Sequence, residues 1–240
     1  MHNLGLTRSA HRANHLLQTP DTFVQAPLPG MKKATAIVHV GPAAGAQFSE
    51  YTAILEPGGS LGIASTQRFI YMLEGKMKIA GGRIAKGGYG YQPAGTPAEA
   101  QSNARAIVIE KPYQPLTGIN PPGPFAGHED MVEGNPLDGD DALEVRALLP
   151  PDPAFDMAVN IMIFQPGASL RMVEMHVMEH GLMMLEGGGI YRLGDNWYPV
   201  QAGDFIWMAP YCPQWFGAIG KKAAKYLIYK DWNRHPCSSK

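Results

Sequence analysis

Apolar residues along this chain fall in short runs, each closed by Gly, Pro or Asp, and no stretch keeps a helical period for long. The pattern predicts strands over 50–56, 68–73, 76–80, 90–93 and 104–110, and again over 158–165, 181–186, 188–193, 204–209 and 224–230. Dense short strands of this kind imply an all-β protein built as a sandwich or a jelly-roll barrel. Residues 112–153 are rich in Pro, Gly and Asp and read as a linker with little regular structure. Residues 1–45 show weak periodicity and read as an N-terminal arm that packs on a barrel or on another subunit.

The two strand series repeat one another. Ile54-Leu55-Glu56-Pro57-Gly58-Gly59-Ser60-Leu61 matches Ile163-Phe164-Gln165-Pro166-Gly167-Ala168-Ser169-Leu170, and Met72-Leu73-Glu74-Gly75 matches Met184-Leu185-Glu186-Gly187. Lys86-Gly87-Gly88-Tyr89 parallels Gln201-Ala202-Gly203-Asp204, each leading into a strand, and a proline-bearing turn follows in both halves. Arg105–Ile109 then corresponds to Lys225–Tyr229, with Ala98 falling at the place of Gln214. Matches in the same order indicate a duplicated domain, 46–111 and 154–240, with loops that vary while strands persist.

Composition narrows the classes. Apolar residues make up 45% of the 240, enough for a sizeable core. The formal charge of −1 comes without a basic run, which argues against nucleic acid or an anionic membrane as a partner. No segment approaches the ~20 apolar residues of a spanning helix, and the N-terminus lacks a signal-type apolar region. Two cysteines, Cys212 and Cys237, exclude a disulfide scaffold and suit a reducing, cytoplasmic compartment.

Chemistry concentrates in the second half. In Glu174-Met175-His176-Val177-Met178-Glu179-His180, Glu174 and His176 are two apart and leave one face of a strand, and His180 can return to that face four residues later. Two imidazoles and a carboxylate suit Mn, Fe, Zn, Co or Ni, and Gln214, in the turn Pro210-Tyr211-Cys212-Pro213-Gln214, can add a carbonyl oxygen. In the first half the corresponding stretch, 61–67, has neither histidine nor carboxylate. That half is expected to lack metal.

These motifs resemble the cupin superfamily in permuted form. Gly167, Glu174, His176, His180 and Gly187 stand for the first motif, with one residue more than usual after Gly167; Gly203, Pro210, Pro213 and Gln214 stand for the second. The resemblance implies two tandem cupin barrels, a bicupin. The ligand set in the C-terminal barrel, with the stretch 189–200 and Tyr229-Lys230-Asp231, further resembles the family of (S)-ureidoglycine aminohydrolases, bacterial members of which are also called glyoxylate-induced proteins. That resemblance implies Mn²⁺, a small-molecule substrate, ammonia release from (S)-ureidoglycine in purine breakdown, and substrate-contacting roles for Tyr191, Tyr226 and Lys230. Tyr226 and Lys230 lie four apart on the last strand and share a face with Ile228; an inward lysine is unusual unless it pairs with a substrate anion or assists proton transfer.

Each assignment has an alternative: tyrosines as ordinary barrel residues, Lys230 emerging into solvent, or Glu129 or Glu133 reaching over the site from the linker. Other metal cupins (a dioxygenase or an isomerase) and a non-catalytic ligand-binding bicupin are the competing functions. His39 and His128 read as packing or solvated residues. His2, His11 and His15 fall in the arm and His235 in the tail, Cys212 reads as a small packing residue, and Met172, Met175, Met178, Met183 and Met184 as apolar surroundings of the metal. A homo-oligomer is expected.

Overall fold

The computed structural model describes residues 6–234, so His2, His235 and Cys237 lie outside the described residues. In chain order the strands are β1 (Ala10–Arg12), β2 (His15–Gln18), β3 (Gln25–Ala26), β4 (Lys32–Val40), β5 (Ser49–Ser60), β6 (Gln67–Glu74) and β7 (Lys76–Ile79). They continue with β8 (Gly82–Ala85), β9 (Gly88–Gln92), β10 (Ala98–Ala100), β11 (Ala104–Lys111), β12 (Phe125–His128), β13 (Asn135–Leu137) and β14 (Asp140–Ala147). The last seven are β15 (Met157–Phe164), β16 (His180–Glu186), β17 (Gly188–Leu193), β18 (Asn196–Gln201), β19 (Phe205–Met208), β20 (Gln214–Ala218) and β21 (Ala224–Asp231). Among the described residues the only helical elements are three 3-10 turns. The fold is all-β, as the spacing of apolar runs predicts.

The chain divides into two compact units. The first comprises Val24–Val132 and Leu148–Asp156; the second comprises the described residues up to Phe23, Glu133–Ala147 and those from Met157 on. In the first, a sheet runs β12-β9-β6-β11-β5-β10-β7-β8, with β4 pairing β5 and β3 pairing β4. Its core holds Tyr51, Ile70, Met72, Ile79, Ile84 and Val108. In the second, a sheet in the order β1-β2-β19-β16-β21-β15-β14-β13 faces the sheet β18-β17-β20 across a core that includes Phe164, Leu182, Met184, Ile206, Phe216 and Tyr226.

The central strands explain why their sequences are continuously apolar. In β6, Gln67–Met72 are buried without alternation, as are His180–Met184 in β16, because both faces of each strand are covered. Strand β7, next to the edge strand β8, keeps the exposed-buried alternation of a strand covered on one face. Gly75 and Gly187 close equivalent turns with φ of 77° and 64°. A Cβ there would strike the carbonyl oxygen of Asn103 or Ala223, so the two Glu-Gly pairs are backbone requirements of one duplicated turn.

Three sequence expectations change. Residues 112–153 carry β12, β13, β14 and a 3-10 turn over Glu129–Met131. β12 and β13 are short and interrupted by Gly127 and Pro136, and β14 has a single fully buried residue, Leu143, so these strands carry little apolar alternation of their own. Residues 6–45 are not one arm: β3 and β4 join the first unit's sheet, β4 pairing β5, whereas β1 and β2 join the second unit's, where β2 pairs β19 with His15 opposite Met208. His15 is buried there, its ring hydrogen-bonded to Asn14 Oδ1 and Tyr198 Oη, both at 2.9 Å.

The third change concerns how the repeats align. Leu61 N donates to Ala98 O at 3.2 Å, and Leu170 N donates to Phe216 O at 2.9 Å. Ala98 therefore matches Phe216, and Thr96, two residues earlier, takes the place of Gln214. Likewise Gly87 N donates to Met72 O and Gly203 N to Met184 O, so Gly87 matches Gly203 and the sequence pairing at this turn is one residue off.

Candidate metal and substrate site

The site residues of the second unit come from β16, β17, β20, β21 and the irregular segment before β16. Glu174 and Gln214 exchange both backbone hydrogen bonds, at 2.8 and 2.9 Å, in an isolated antiparallel bridge. Residues so paired project their side chains to one face. Two residues on, His176 O accepts from Tyr211 N at 2.7 Å, which fixes the same segment against the proline turn.

His180 opens β16 and is buried. Its Nδ1 lies 3.0 Å from Tyr229 O. A carbonyl only accepts, so Nδ1 carries the proton and Nε2 turns its lone pair inward. Burial lowers the imidazole pKa to about 3, which keeps the ring neutral. His180 Nε2 stands 3.3 Å from His176 Nε2, with the rings edge to face at 84°. The Gln214 side-chain amide reaches His176 Nε2 at 2.9 Å, and its oxygen lies 3.4 Å from Tyr191 Oη. Rotation about its last torsion lets Gln214 present either oxygen or nitrogen to the histidines. His176 Nδ1 is buried without a hydrogen-bond partner.

Two nitrogens that each bind one metal at about 2.1 Å stand roughly 3–3.5 Å apart, so the histidine pair has the separation of co-ligands. His180 also has the carbonyl partner that orients metal-bound imidazoles. Glu174 fits less well. Among the described residues no group of three His, Cys, Asp or Glu side chains is arranged to hold a metal ion. The Glu174 carboxyl has its pKa raised, first by burial and then by Asp138, against the opposing influence of His176 and Lys230. It neighbours the pair without closing on it.

Lys230 lies directly opposite His180 in the β16–β21 register, and Tyr226 opposite Met184. Both side chains therefore belong to the His180 face. Burial lowers the pKa of Lys230, and Glu174 acts against that. Tyr191 and Tyr226 are almost fully buried. Burial, then Glu174, holds the Tyr191 phenol protonated; burial, then Tyr191 and Glu174, does so for Tyr226. Both are hydrogen-bond donors rather than phenolates. Phe216 braces them, with ring centroids at 5.4 and 5.6 Å.

A cavity of about 80 Å³ adjoins Glu174, lined by Leu143, Leu170, Asp138, Asp140 and Arg171 among others. Asp138 sits at the tip of the β13–β14 hairpin with φ of 51°, a left-handed conformation that Asp tolerates better than most. The acids Glu129 and Glu133 are not among the residues that line this cavity. Glu129 is buried in the first unit's 3-10 turn, and Glu133 is exposed. A larger, shallow groove of about 430 Å³ over Gly187–Ile190 and Ile219–Lys222 contains none of the site residues.

The remaining candidates have structural partners. His39 Nε2 bonds Thr52 Oγ1 at 2.8 Å, His128 caps the 3-10 turn through Asp130 N, and Cys212 packs in the core. Met183 and Met184 are buried, whereas Met172 and Met175 are 68% and 65% exposed, so the methionine-rich surroundings are only partly core. Two anchors of the site segment leave no signal in sequence spacing. Asp231 Oδ1 accepts from Glu179 N at 2.6 Å, and the buried Glu179 carboxylate accepts from Trp207 Nε1 at 3.2 Å.

A jelly-roll frame present twice, with inward histidines in one copy, defines a bicupin, and the cupin domain family matches residues 160–229. Similar structures include a protein named for glyoxylate induction in Pseudomonas aeruginosa (TM-score 0.86, 29% identity, covering 97% of this chain and 93% of that one). The Escherichia coli protein Ylba superposes with a TM-score of 0.82 at 30% identity, covering 96% of each chain. In sequence the chain is 38% identical to (S)-ureidoglycine aminohydrolase of Arabidopsis thaliana, over 97% of this chain and 80% of the relative. It is 33% identical to the enzyme of that name from Escherichia coli, over 92% and 89%. The chain belongs to the (S)-ureidoglycine aminohydrolase family.

Proposed function

We propose that the protein is a hydrolase that releases ammonia from (S)-ureidoglycine to give (S)-ureidoglycolate, with the reaction held in the second barrel. The observation that carries this reading is the convergence of His176, His180 and Gln214 on one face with Tyr191, Tyr226 and Lys230, in a chain with aminohydrolase relatives along nearly its whole length. Glu174, His176, His180 and Gln214 would hold a divalent metal. A donor set of two imidazoles and two oxygens suits Mn²⁺, which bound there would supply a Lewis acid and a point of chelation.

The chain's own residues divide the remaining work. Lys230 meets the substrate carboxylate, an anion matched to a largely buried ammonium. The protonated hydroxyls of Tyr191 and Tyr226 donate to the ureido carbonyl and fix which face of the carbon water reaches. As the C–N bond breaks and the C–O bond forms, the attacking water loses a proton and the leaving amine gains one, so ammonia departs with no net proton taken up. Lys230, a cationic group on this face, can relay that proton. We further propose that the chain works as an assembly of identical subunits in the cytoplasm; among the described residues no helix is long and apolar enough to cross a membrane.

The test combines metal analysis with ammonia release from ureidoglycine generated in situ from allantoate. One equivalent of metal and release well above the spontaneous rate are expected. Release at the spontaneous rate by fully metal-loaded protein would overturn the reading.

A further inference from the structure

The end of β21 holds Lys230 in an uncommon way. Its side chain is largely buried, yet among the described residues it makes no hydrogen bond and no ion pair within 4.0 Å. Its close partner is the face of the Trp232 ring, with Nζ 4.6 Å from the centroid. A carboxylate in that place would neutralise the ammonium and occupy its N–H groups. A ring attracts the charge through its quadrupole and leaves the N–H groups free.

Between these two residues, Asp231 faces the other way and accepts from Glu179 N at 2.6 Å, tying the strand end to the segment that carries His176. Trp232 is 39% exposed, so one side of the indole meets solvent while the other covers Lys230. The short run 230–232 thus fixes both the cation and its cover relative to His180, which stands opposite Lys230 in register.

We propose that Trp232 is a positioning residue, its ring holding the Lys230 ammonium toward the site with its donors unspent, ready for an anionic substrate. This rests on the reading above that Lys230 meets the substrate carboxylate. The consequence is a substrate-binding effect: the ring orients a group already charged, so its loss weakens capture of the anion more than the chemical step.

The experiment compares Trp232→Leu and Trp232→Phe in the metal-loaded protein. Trp232→Leu is expected to raise KM for ureidoglycine about 5- to 20-fold, with kcat within about threefold and metal content unchanged. Trp232→Phe, which keeps a ring face, should recover most of the loss. In a Lys230→Met background the Trp232→Leu change should have no further effect on KM. Independently of turnover, the Lys230 ε-methylene resonance of ¹³C-lysine-labelled protein should be displaced by the indole ring current and return toward the ordinary lysine position in Trp232→Leu. An unchanged KM in Trp232→Leu, or a Trp232→Phe variant as impaired as Trp232→Leu, overturns the proposal. So does an undisplaced resonance in the parent. A parent protein that turns over no ureidoglycine sinks the substrate reading instead, and the resonance then decides the positioning by itself.

Discussion

The two barrels put different residues at the same inward positions. Where the second has His180 opposite Lys230, the first has Arg68 opposite Glu110, in the same register of the same strand pair. Tyr226 corresponds to Ala106, each opposite the repeated methionine, Met184 or Met72. Tyr191 corresponds to Ile79 and Gln214 to Thr96, by the shared hydrogen-bond pattern at Leu170 and Leu61. In the first barrel the polar pair satisfies itself: Arg68 Nε meets Glu110 Oε1 at 2.7 Å, Tyr51 Oη donates to the same oxygen at 2.6 Å, and Arg68 Nη1 donates to Gly62 O at 2.6 Å. In the second, among the described residues, His176 Nδ1 has no hydrogen-bond partner and the Lys230 ammonium rests against a ring face rather than on a carboxylate. One copy closes its polar groups on each other, and the other keeps them available for a ligand. A frame of strands is indifferent to that choice; a handful of inward side chains makes it.

The sharpest way to break this contrast is to remove the open set. His180→Ala should abolish metal binding and lower ammonia release at least about 100-fold, as should Glu174→Ala, whereas His128→Ala should leave both unchanged. Metal analysis and the ammonia assay decide it. Retained metal in His180→Ala would mean that the inward pair is not the ligand set.

Opening the closed set is the converse. Arg68→Ala leaves Glu110 facing a gap without its guanidinium and should destabilise the protein by about 3 kcal/mol, read by denaturant unfolding, with no loss of metal. Joint replacement by Arg68→Met and Glu110→Leu should recover most of that, because a satisfied pair and a well-packed apolar pair differ little in stability. Failure of the double variant to recover would show that the Arg68 hydrogen bond to Gly62 O, rather than the ion pair, holds the loop.

A third difference lies on the other face of the same strands. Glu50 in β5 pairs Ile109, and its counterpart Val159 in β15 pairs Tyr229. Glu50 is buried with both carboxylate oxygens lacking a hydrogen-bond partner, and burial raises its pKa to about 8. The unfolded chain loses this proton near pH 4.5, whereas the folded one holds it until about pH 8. Between those values the folded state binds more protons, so stability falls as pH rises. Glu50→Gln should flatten that slope and stabilise the protein at pH 8 by on the order of 2 kcal/mol. Unfolding curves at pH 5 and pH 8 that shift equally in parent and variant would contradict it.

Much of this contrast is legible in the amino-acid sequence. The duplicated Pro-Gly and Glu-Gly turns mark the repeat because a left-handed backbone position at Gly75 and Gly187 admits few residues. The Glu174–His180 cluster stands out because histidines and carboxylates are scarce inside apolar stretches. What sequence spacing does not show depends on pairing between distant segments. Arg68 and Glu110 are forty-two residues apart and look like ordinary strand-end charges until β6 and β11 are aligned. The arm strands, the β13–β14 hairpin and Asp138 carry little apolar periodicity of their own. The counterpart of Gln214 is Thr96 rather than Ala98 because the two proline turns differ in length, and only the hydrogen bonds of the flanking strands reveal the alignment.

The smallest expected effect tests whether a charge pair kept in both copies matters. Arg105 Nη1 meets Glu74 Oε1 at 2.9 Å in the first barrel, and Lys225 Nζ lies 3.7 Å from Glu186 Oε1 at the equivalent place in the second. Both pairs follow the repeated Met-Leu-Glu-Gly turn, so their recurrence invites a structural reading. Their carboxylates are 62% and 68% exposed, however, and water screens such pairs to a fraction of a kcal/mol. Glu74→Gln and Glu186→Gln should each cost no more than about 0.5 kcal/mol, and raising salt should erase the difference from the parent. A larger loss at Glu186 alone would be informative, because Lys225 is the more buried cation and precedes Tyr226 on the site strand. It would mean that this turn braces the open site, a duty that its twin in the closed barrel does not share.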